Sequence, residues 1–295
     1  MSVIPSELAA ALEPHVGPLQ DAMRLSGGMV ASSAMVVTGR GRFFVKWKLD
    51  APKGFFRLEA DGLDRLRATG AVRTPKRIAW QDDEQGFPFL ALEYVAPRPP
   101  ANPERLDEAL GEGLAALHRT RPPFAGFGLE IDNFLGSQPQ ANGPMESWAA
   151  FYRERRLIPQ IERARLLGLI PTHRGRLLGL LLERLDSLYR GHSPEPALIH
   201  GDLWAGNLLT LGDEPVLIDP AVYFADREME IAYMQLFSGF SERVFAAYNS
   251  AYPLDSGYEA RRPLHQLYPL LIHLNHFGEQ YGPDVDAVCR FYLSA

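Results

Sequence analysis

Residues 96 to 103 read Ala96-Pro97-Arg98-Pro99-Pro100-Ala101-Asn102-Pro103, four prolines in eight positions. Proline locks φ and has no backbone N–H, so this stretch enters neither a helix interior nor a central strand. The chain must break here. With 295 residues and about 150 per domain, two units are expected, 1–95 and 96–295. Before the break the pattern is β-rich. Residues 23–48 read as strand, loop, strand, turn, strand, punctuated by Gly27-Gly28 and Gly39-Arg40-Gly41. This is an antiparallel meander rather than a βαβ unit. A helix follows over 54–69, where Phe56, Ala60 and Leu63 keep helical spacing, then strands over 72–80 and 87–95. With a short helix at 6–13 ahead of it, this part is expected to be five strands and one helix. Beyond the break the pattern is helical, over 104–117, 148–167, 174–189, 226–237, 242–248, 258–277 and 284–293. Only a short β interlude at 197–199, 207–211 and 216–218 interrupts it. The fold class expected is α+β, a small sheet followed by a mainly helical body.

Polar residues crowd that interlude. His200-Gly201-Asp202-Leu203-Trp204-Ala205-Gly206-Asn207 is followed, after a hairpin, by Ile218-Asp219-Pro220. Asp202 precedes Asn207 by five positions, and Asp219 lies twelve further on. Phosphoryl transfer to an alcohol needs such a set: a carboxylate to orient and deprotonate the hydroxyl, then an amide oxygen and a second carboxylate as hard ligands for Mg²⁺. Taken singly, the three residues are turn formers and caps. Taken together they point to Asp202 as base and to Asn207 and Asp219 as metal ligands.

The first part offers an independent check, because such a reaction also needs a strand lysine for the ATP phosphates and a helix glutamate to hold it. Phe43-Phe44-Val45-Lys46 supplies the lysine in a chain with only four lysines against 26 arginines. Glu59 falls on the helix face shared by Phe56, Leu63 and Leu66, where a carboxylate wants a cation. The segment containing Gly27 and Gly28 would cover the phosphates through backbone N–H groups, although it departs from G-x-G-x-x-G. By position, Glu93, Tyr94 and Val95 would present backbone groups to adenine. Glu228 or Glu230, in the helix that follows Asp219, is expected either to complement the helix dipole or to brace the loop around Asp202. Residues 146–176 hold seven arginines and three glutamates, and helical spacing spreads them as a solvated face. His273 and His276 read as packed helix histidines rather than metal ligands.

A net charge of −6 argues against a general grip on nucleic acid or anionic membrane. No apolar run approaches the roughly 20 residues that span a bilayer, and a cytoplasmic location is expected. The lone Cys289 can form neither an intrachain disulfide nor a multi-cysteine metal site.

These residues resemble the fructosamine kinase (ketosamine-3-kinase) family, within the group that includes aminoglycoside phosphotransferases and choline kinases. The group shares the H-G-D-x-x-x-x-N frame and the later strand aspartate. The narrower match lies in His200 to Asn207, in Asp219-Pro220-Ala221 with Asp226-Arg227-Glu228, and in Leu236 to Phe240. It extends to Leu267-Tyr268-Pro269 with His273-Leu274-Asn275, and upstream to Asp132-Asn133, Trp148 and Arg155-Arg156-Leu157. The resemblance implies a bilobal protein-kinase-like fold, with a nucleotide-binding lobe at 1–95 and a catalytic, substrate-binding lobe at 96–295. It implies ATP with Mg²⁺, and phosphorylation of the 3-hydroxyl of a ketoamine sugar, free or attached to protein amines, in deglycation repair. It also implies that Trp204 lies beside the sugar. Met29 rather than cysteine in the phosphate loop excludes a thiol switch there. A kinase for an aminoglycoside, choline or related amino alcohol would use the same core. A silent ATP-binding module would not need all of Lys46, Glu59, Asp202, Asn207 and Asp219.

Overall fold

The computed structural model describes residues 3–25, 30–82 and 86–294. Its first part is an antiparallel sheet of β1 (Leu19–Leu25), β2 (Ser32–Thr38), β3 (Gly41–Trp47), β4 (Arg77–Gln81) and β5 (Phe89–Glu93), in the order β1-β2-β3-β5-β4. Side chains alternate across a pleat, so each face of β5 can be read from its sequence. Phe89 and Ala91 pack on one side with Val36, Val45 and Trp47, beneath Leu8, Leu12 and Val16 of α1 (Ser6–Val16). Leu90 and Leu92 pack on the other side against Phe56, Ala60 and Leu63 of α2 (Phe55–Ala68). Burial on both faces explains why Phe89-Leu90-Ala91-Leu92 is an unbroken apolar run. The same alternation places Lys46 on the α2 side of β3 with Phe44, opposite Leu90 of β5.

Three expectations need correction here. The short helix expected at 6–13 runs on to Val16 and belongs to the first part, since the sheet has two apolar faces and α1 covers the second. The sheet begins at Leu19 rather than residue 23, since the edge strand exposes Gln20 and Asp21 and so lacks a clean apolar alternation. The strand expected over 72–80 starts only at Arg77, because Pro75 cannot donate to a ladder; Arg73 forms a parallel bridge to Val216 instead.

The proline segment lies against a hairpin of the second part. Arg98 N donates to Thr210 O at 2.8 Å and Gly212 N to Arg98 O at 3.1 Å. Asn102 then caps α3 (Pro103–Leu117), accepting from Glu104 N at 3.0 Å, with Pro103 where a missing N–H costs nothing.

The remainder is helical around one apolar core that includes Leu114, Phe151, Leu181, Ile199, Ala232 and Leu271. In order come β6 (Asn133–Leu135), β7 (Gln138–Gln140), α4 (Trp148–Phe151), α5 (Ile158–Leu166), α6 (Thr172–Leu188) and β8 (Ala197–Ile199). After them follow β9 (Leu208–Leu211), β10 (Glu214–Leu217), β11 (Tyr223–Ala225), α7 (Glu228–Leu236), α8 (Glu242–Ala251), α9 (Tyr258–Phe277) and α10 (Gly282–Leu293). The helix expected over 148–167 is not continuous: a wide π-type turn, Tyr152–Leu157, separates α4 from α5. Pro159 withholds the N–H that would reach residue 155, and the wider turn accommodates the loss.

Nor is the basic stretch wholly a solvated face. Arg156 and Arg174 are fully buried: Arg156 lies 3.9 Å from the Tyr223 ring centre and donates to Asn142 Oδ1 at 2.7 Å, while Arg174 pairs with Asp286 at 2.9 Å. His273 is packed, its ring 4.1 Å from that of Phe237, whereas His276 is exposed. Among the described residues no helix is long and apolar enough to cross a membrane.

Candidate active site

β8 and β11 pair with Ile199 opposite Tyr223, and Ala221 N donates to His200 O at 2.9 Å. The two polar motifs therefore leave one small ladder side by side. Gly201 has φ 83°, and a Cβ there would sit 2.1 Å from Ala221 O. Only glycine permits both the left-handed backbone and this close approach. Asp219 also has positive φ, at 54°, a conformation aspartate tolerates better than most residues.

His200 Nε2 lies 2.9 Å from Ile218 O and its Nδ1 accepts from Asp202 N at 3.3 Å. That pattern fits the neutral ring with its proton on Nε2, and burial holds the imidazole below its usual range. The ring thus ties the two motifs together.

Asp202 is partly enclosed. Tyr233 OH donates to its Oδ1 at 2.8 Å, and Asn207 Nδ2 donates to its Oδ2 at 3.2 Å and to its main-chain O at 2.7 Å. Burial pushes this carboxyl up to about 7; the two hydrogen bonds oppose the rise while the charges of Asp219 and Glu230 add to it. Asn207 has committed its amide nitrogen, which leaves its Oδ1 free to face a cation.

Lys46 Nζ lies 2.5 Å from Glu59 Oε1 and 2.9 Å from Asp219 Oδ1. Burial pulls the ammonium down, but the charges of Asp219 and Glu59 outweigh it and hold the lysine above its usual range. Burial pushes Glu59 up to about 7 against the pull of Lys46. The structure therefore brings Lys46, Glu59 and Asp219 into one ion cluster, and Asp202 with Asn207 into an adjoining one.

Glu230 braces the loop; Glu228 does not. Fully buried on α7, Glu230 accepts from His200 N at 3.1 Å and Gly201 N at 2.8 Å, and lies 3.0 Å from His118 Nε2. Burial alone would raise it, but these partners win and lower it. His118 in turn lies 2.8 Å from Tyr248 OH. Sequence reasoning missed Tyr233 and His118. Tyr233 was legible as the i+3 neighbour of Glu230 on one helix face; His118, 112 positions from its partner, carried no local signal.

Trp204 is 44% exposed, its ring lying across Gly206, where a Cβ would be 2.1 Å from the indole. The indole is therefore exposed to solvent rather than packed beneath the loop. Glu93 ends β5 with its side chain taken by Arg73 at 3.0 Å and by Lys76 N at 3.1 Å; Tyr94 lies under the Arg42 guanidinium at 5.5 Å, and Val95 is buried. Gly27 and Gly28 lie outside the described residues.

A strand lysine paired with a helix glutamate, over a loop carrying aspartate, asparagine and a later aspartate, defines a phosphotransferase of protein-kinase-like fold. Solved structures agree on that fold: an aminoglycoside phosphotransferase superimposes with a TM-score of 0.66 at 18% identity, over 97% of this chain and 99% of that one. The profile of the fructosamine kinase family matches residues 5–294, and the chain belongs to that family. A Vibrio cholerae protein named "Probable ketoamine kinase" is 35% identical over 271 residues, 92% of each chain. The chloroplastic protein-ribulosamine 3-kinase of Arabidopsis thaliana is 33% identical over 273 residues, 91% of this chain and 81% of that one. A crystal structure from Thermobifida fusca, assigned as a fructosamine-3-kinase, has a TM-score of 0.88 at 36% identity and covers 99% of this chain and 100% of that one.

Proposed function

We propose that the protein transfers the γ-phosphoryl group of ATP to the 3-hydroxyl of a ketoamine sugar, as the names of its relatives suggest. The observation that carries this reading is the Asp202 carboxylate, held from two sides beside the Lys46, Glu59 and Asp219 cluster. Asp202 accepts the proton of the sugar hydroxyl as the new O–P bond forms and the bond to ADP breaks. Lys46, fixed by Glu59, holds the nucleotide phosphates. Asn207 Oδ1 and the Asp219 carboxylate form a hard-oxygen pair that suits Mg²⁺, which when bound would neutralise charge on the phosphates. Backbone groups of Glu93, Tyr94 and Val95 receive adenine; Gly27 and Gly28, expected from the sequence to cover the phosphates, lie outside the described residues. The half-exposed indole of Trp204 offers an aromatic face to the C–H side of the sugar. Nucleotide binding is assigned to 1–95 and catalysis with substrate binding to 96–295, supported by β5 ending at Glu93 and α3 starting at Pro103.

The test is ATP turnover by purified protein against fructose-lysine and ribulose-lysine, free and on a protein, with an aminoglycoside and choline as controls. Ketoamine-dependent ADP release is expected. Turnover of choline or the aminoglycoside with none of any ketoamine would redirect the assignment, and no turnover of any acceptor would favour a silent nucleotide-binding module.

A further inference from the structure

The hairpin of β9 and β10 carries the two proposed metal ligands at its ends: Asn207 precedes β9, Asp219 follows β10, and Ile218 N donates to Asn207 O at 3.0 Å where the ends meet. Both outer edges of this hairpin are occupied. On the β9 side the proline segment bridges Leu211 through Arg98, and Asp213 in the turn accepts from Asn102 N at 2.8 Å. On the β10 side lies Arg73 of the first part, whose main chain bridges Val216 and whose carbonyl accepts from Leu217 N at 2.9 Å. The connecting segment and the first part therefore grip the hairpin together.

The side chain of Arg73 adds a second grip. Its Nη1 lies 2.7 Å from Glu214 Oε2, at the start of β10, and its Nη2 lies 3.0 Å from Glu93 Oε1, at the end of β5. Glu93 is fixed in turn, since its other oxygen accepts from Lys76 N at 3.1 Å and its own N donates to Lys76 O at 2.8 Å. One planar guanidinium thus joins the strand end expected to meet adenine to the strand that leads to Asp219. Asp219 meets Lys46, and Lys46 pairs in register with Leu90, three positions before Glu93 on β5. The contacts close a ring that runs from β5 through Arg73, β10, Asp219 and Lys46 back to β5.

Apolar packing does not fill this junction. A cavity of about 340 Å³ opens between the two parts, lined by Val72, Arg73, Ala109, Gly113, Glu214 and Pro215 among others, so polar contacts carry the tie. The side chains of Arg73, Glu93 and Glu214 are 32%, 36% and 50% exposed, a setting in which ion pairs add little to overall stability. What such pairs can do here is fix a geometry.

We propose that Arg73 is a positioning residue for the nucleotide, its guanidinium setting the separation between the adenine end of the site at Glu93 and the phosphate end at Asp219. This rests on the kinase reading above. Tied, the protein already holds the arrangement that binds nucleotide; untied, it samples others, and apparent affinity falls by the fraction of molecules still competent. Bound nucleotide restores the arrangement, so the chemical step is spared.

The test is calorimetry of a non-hydrolysable ATP analogue with MgCl₂ on the full chain, together with turnover of ribulose-lysine. Arg73→Met should weaken nucleotide binding and raise KM for ATP about three- to tenfold, the range that two half-exposed ion pairs supply. Its kcat at saturating ATP should stay within about twofold of wild type, and its melting temperature without nucleotide should be little changed. Arg73→Lys, whose single ammonium cannot span both carboxylates as the fork does, should fall between the two. Glu214→Gln should repeat part of the loss and add little to Arg73→Met, because both break one tie; it also carries the test should Arg73→Met fail to fold. Arg77→Met, which removes a similarly exposed pair with Asp64 inside the first part, should leave binding as it is. Unchanged binding in Arg73→Met, an equal loss in Arg77→Met, strictly additive losses with Glu214→Gln, or a fall in kcat with KM unchanged would overturn the proposal. Calorimetry needs no acceptor, so it decides this claim even if the ketoamine assignment fails. Wild-type protein that binds no nucleotide would overturn the kinase reading itself, and this inference with it.

Discussion

Asp202 sits between opposing influences, which makes single substitutions around it informative. Asp202→Asn keeps the shape but removes the proton acceptor, and kcat should fall on the order of 10²–10⁴ while nucleotide binding, read by calorimetry, persists. Tyr233→Phe removes a hydrogen bond that favours the charged carboxylate, so the Asp202 pKa, already about 7, should rise. A hydrogen bond to a charged group contributes about 1.5–3 kcal/mol, equivalent to about one pKa unit or more. The acid limb of the kcat/KM profile should move to higher pH, with the lost activity recovered at alkaline pH; an unmoved limb would take Tyr233 out of the mechanism. At this scale the sequence was most legible where spacing is local. Asp202, Asn207 and Asp219 lie within 18 positions and declare themselves, and Lys46 and Glu59 follow from alternation and helical periodicity. His118 was not legible, because its role depends on a partner 112 positions away.

At the scale of elements, β8, the loop after it and α7 behave as one unit closed by Glu230. Glu230→Gln leaves fewer acceptors for two main-chain N–H groups and an imidazole, and should destabilise the fold by about 2 kcal/mol at neutral pH. The folded-state pKa of Glu230 is depressed, so its contribution is fully present above the ordinary value of 4.5 and is lost as pH falls below it. Melting curves of wild type and Glu230→Gln should therefore be furthest apart near neutrality and draw together below about pH 4.5; a constant gap would contradict that role. Gly201→Ala should be worse than an ordinary glycine substitution, since its Cβ meets main chain, and should be seen as lost expression or melting. Helices such as α9 were legible to the residue from periodicity. Of the four three-residue strands only β8 was read, at 197–199; β6, β7 and β11 were not, because a span that short has no period to read. The break at Tyr152–Leu157 was signalled by Pro159, whose effect periodicity alone conceals.

For the molecule as a whole, the contact between Lys46 of the sheet and Asp219 of the helical part is what makes one site of two units. Lys46→Met and Glu59→Gln should each lower kcat/KM for ATP, the second less, and their effects should be strongly non-additive in a double-mutant cycle because both act through one ammonium group. Strictly additive losses would mean that Glu59 does not position the lysine. The proline segment showed from sequence where the chain divides; what it could not show is that α1 shields the far face of the sheet, which follows from burial rather than pattern. The central claim, phosphorylation of a ketoamine at its 3-hydroxyl, is tested most directly by NMR of the product formed from ribulose-lysine and ATP. A phosphorus–proton coupling to H3 is the expected result, and phosphate attached at any other position, or no phosphorylated ketoamine at all, would contradict it.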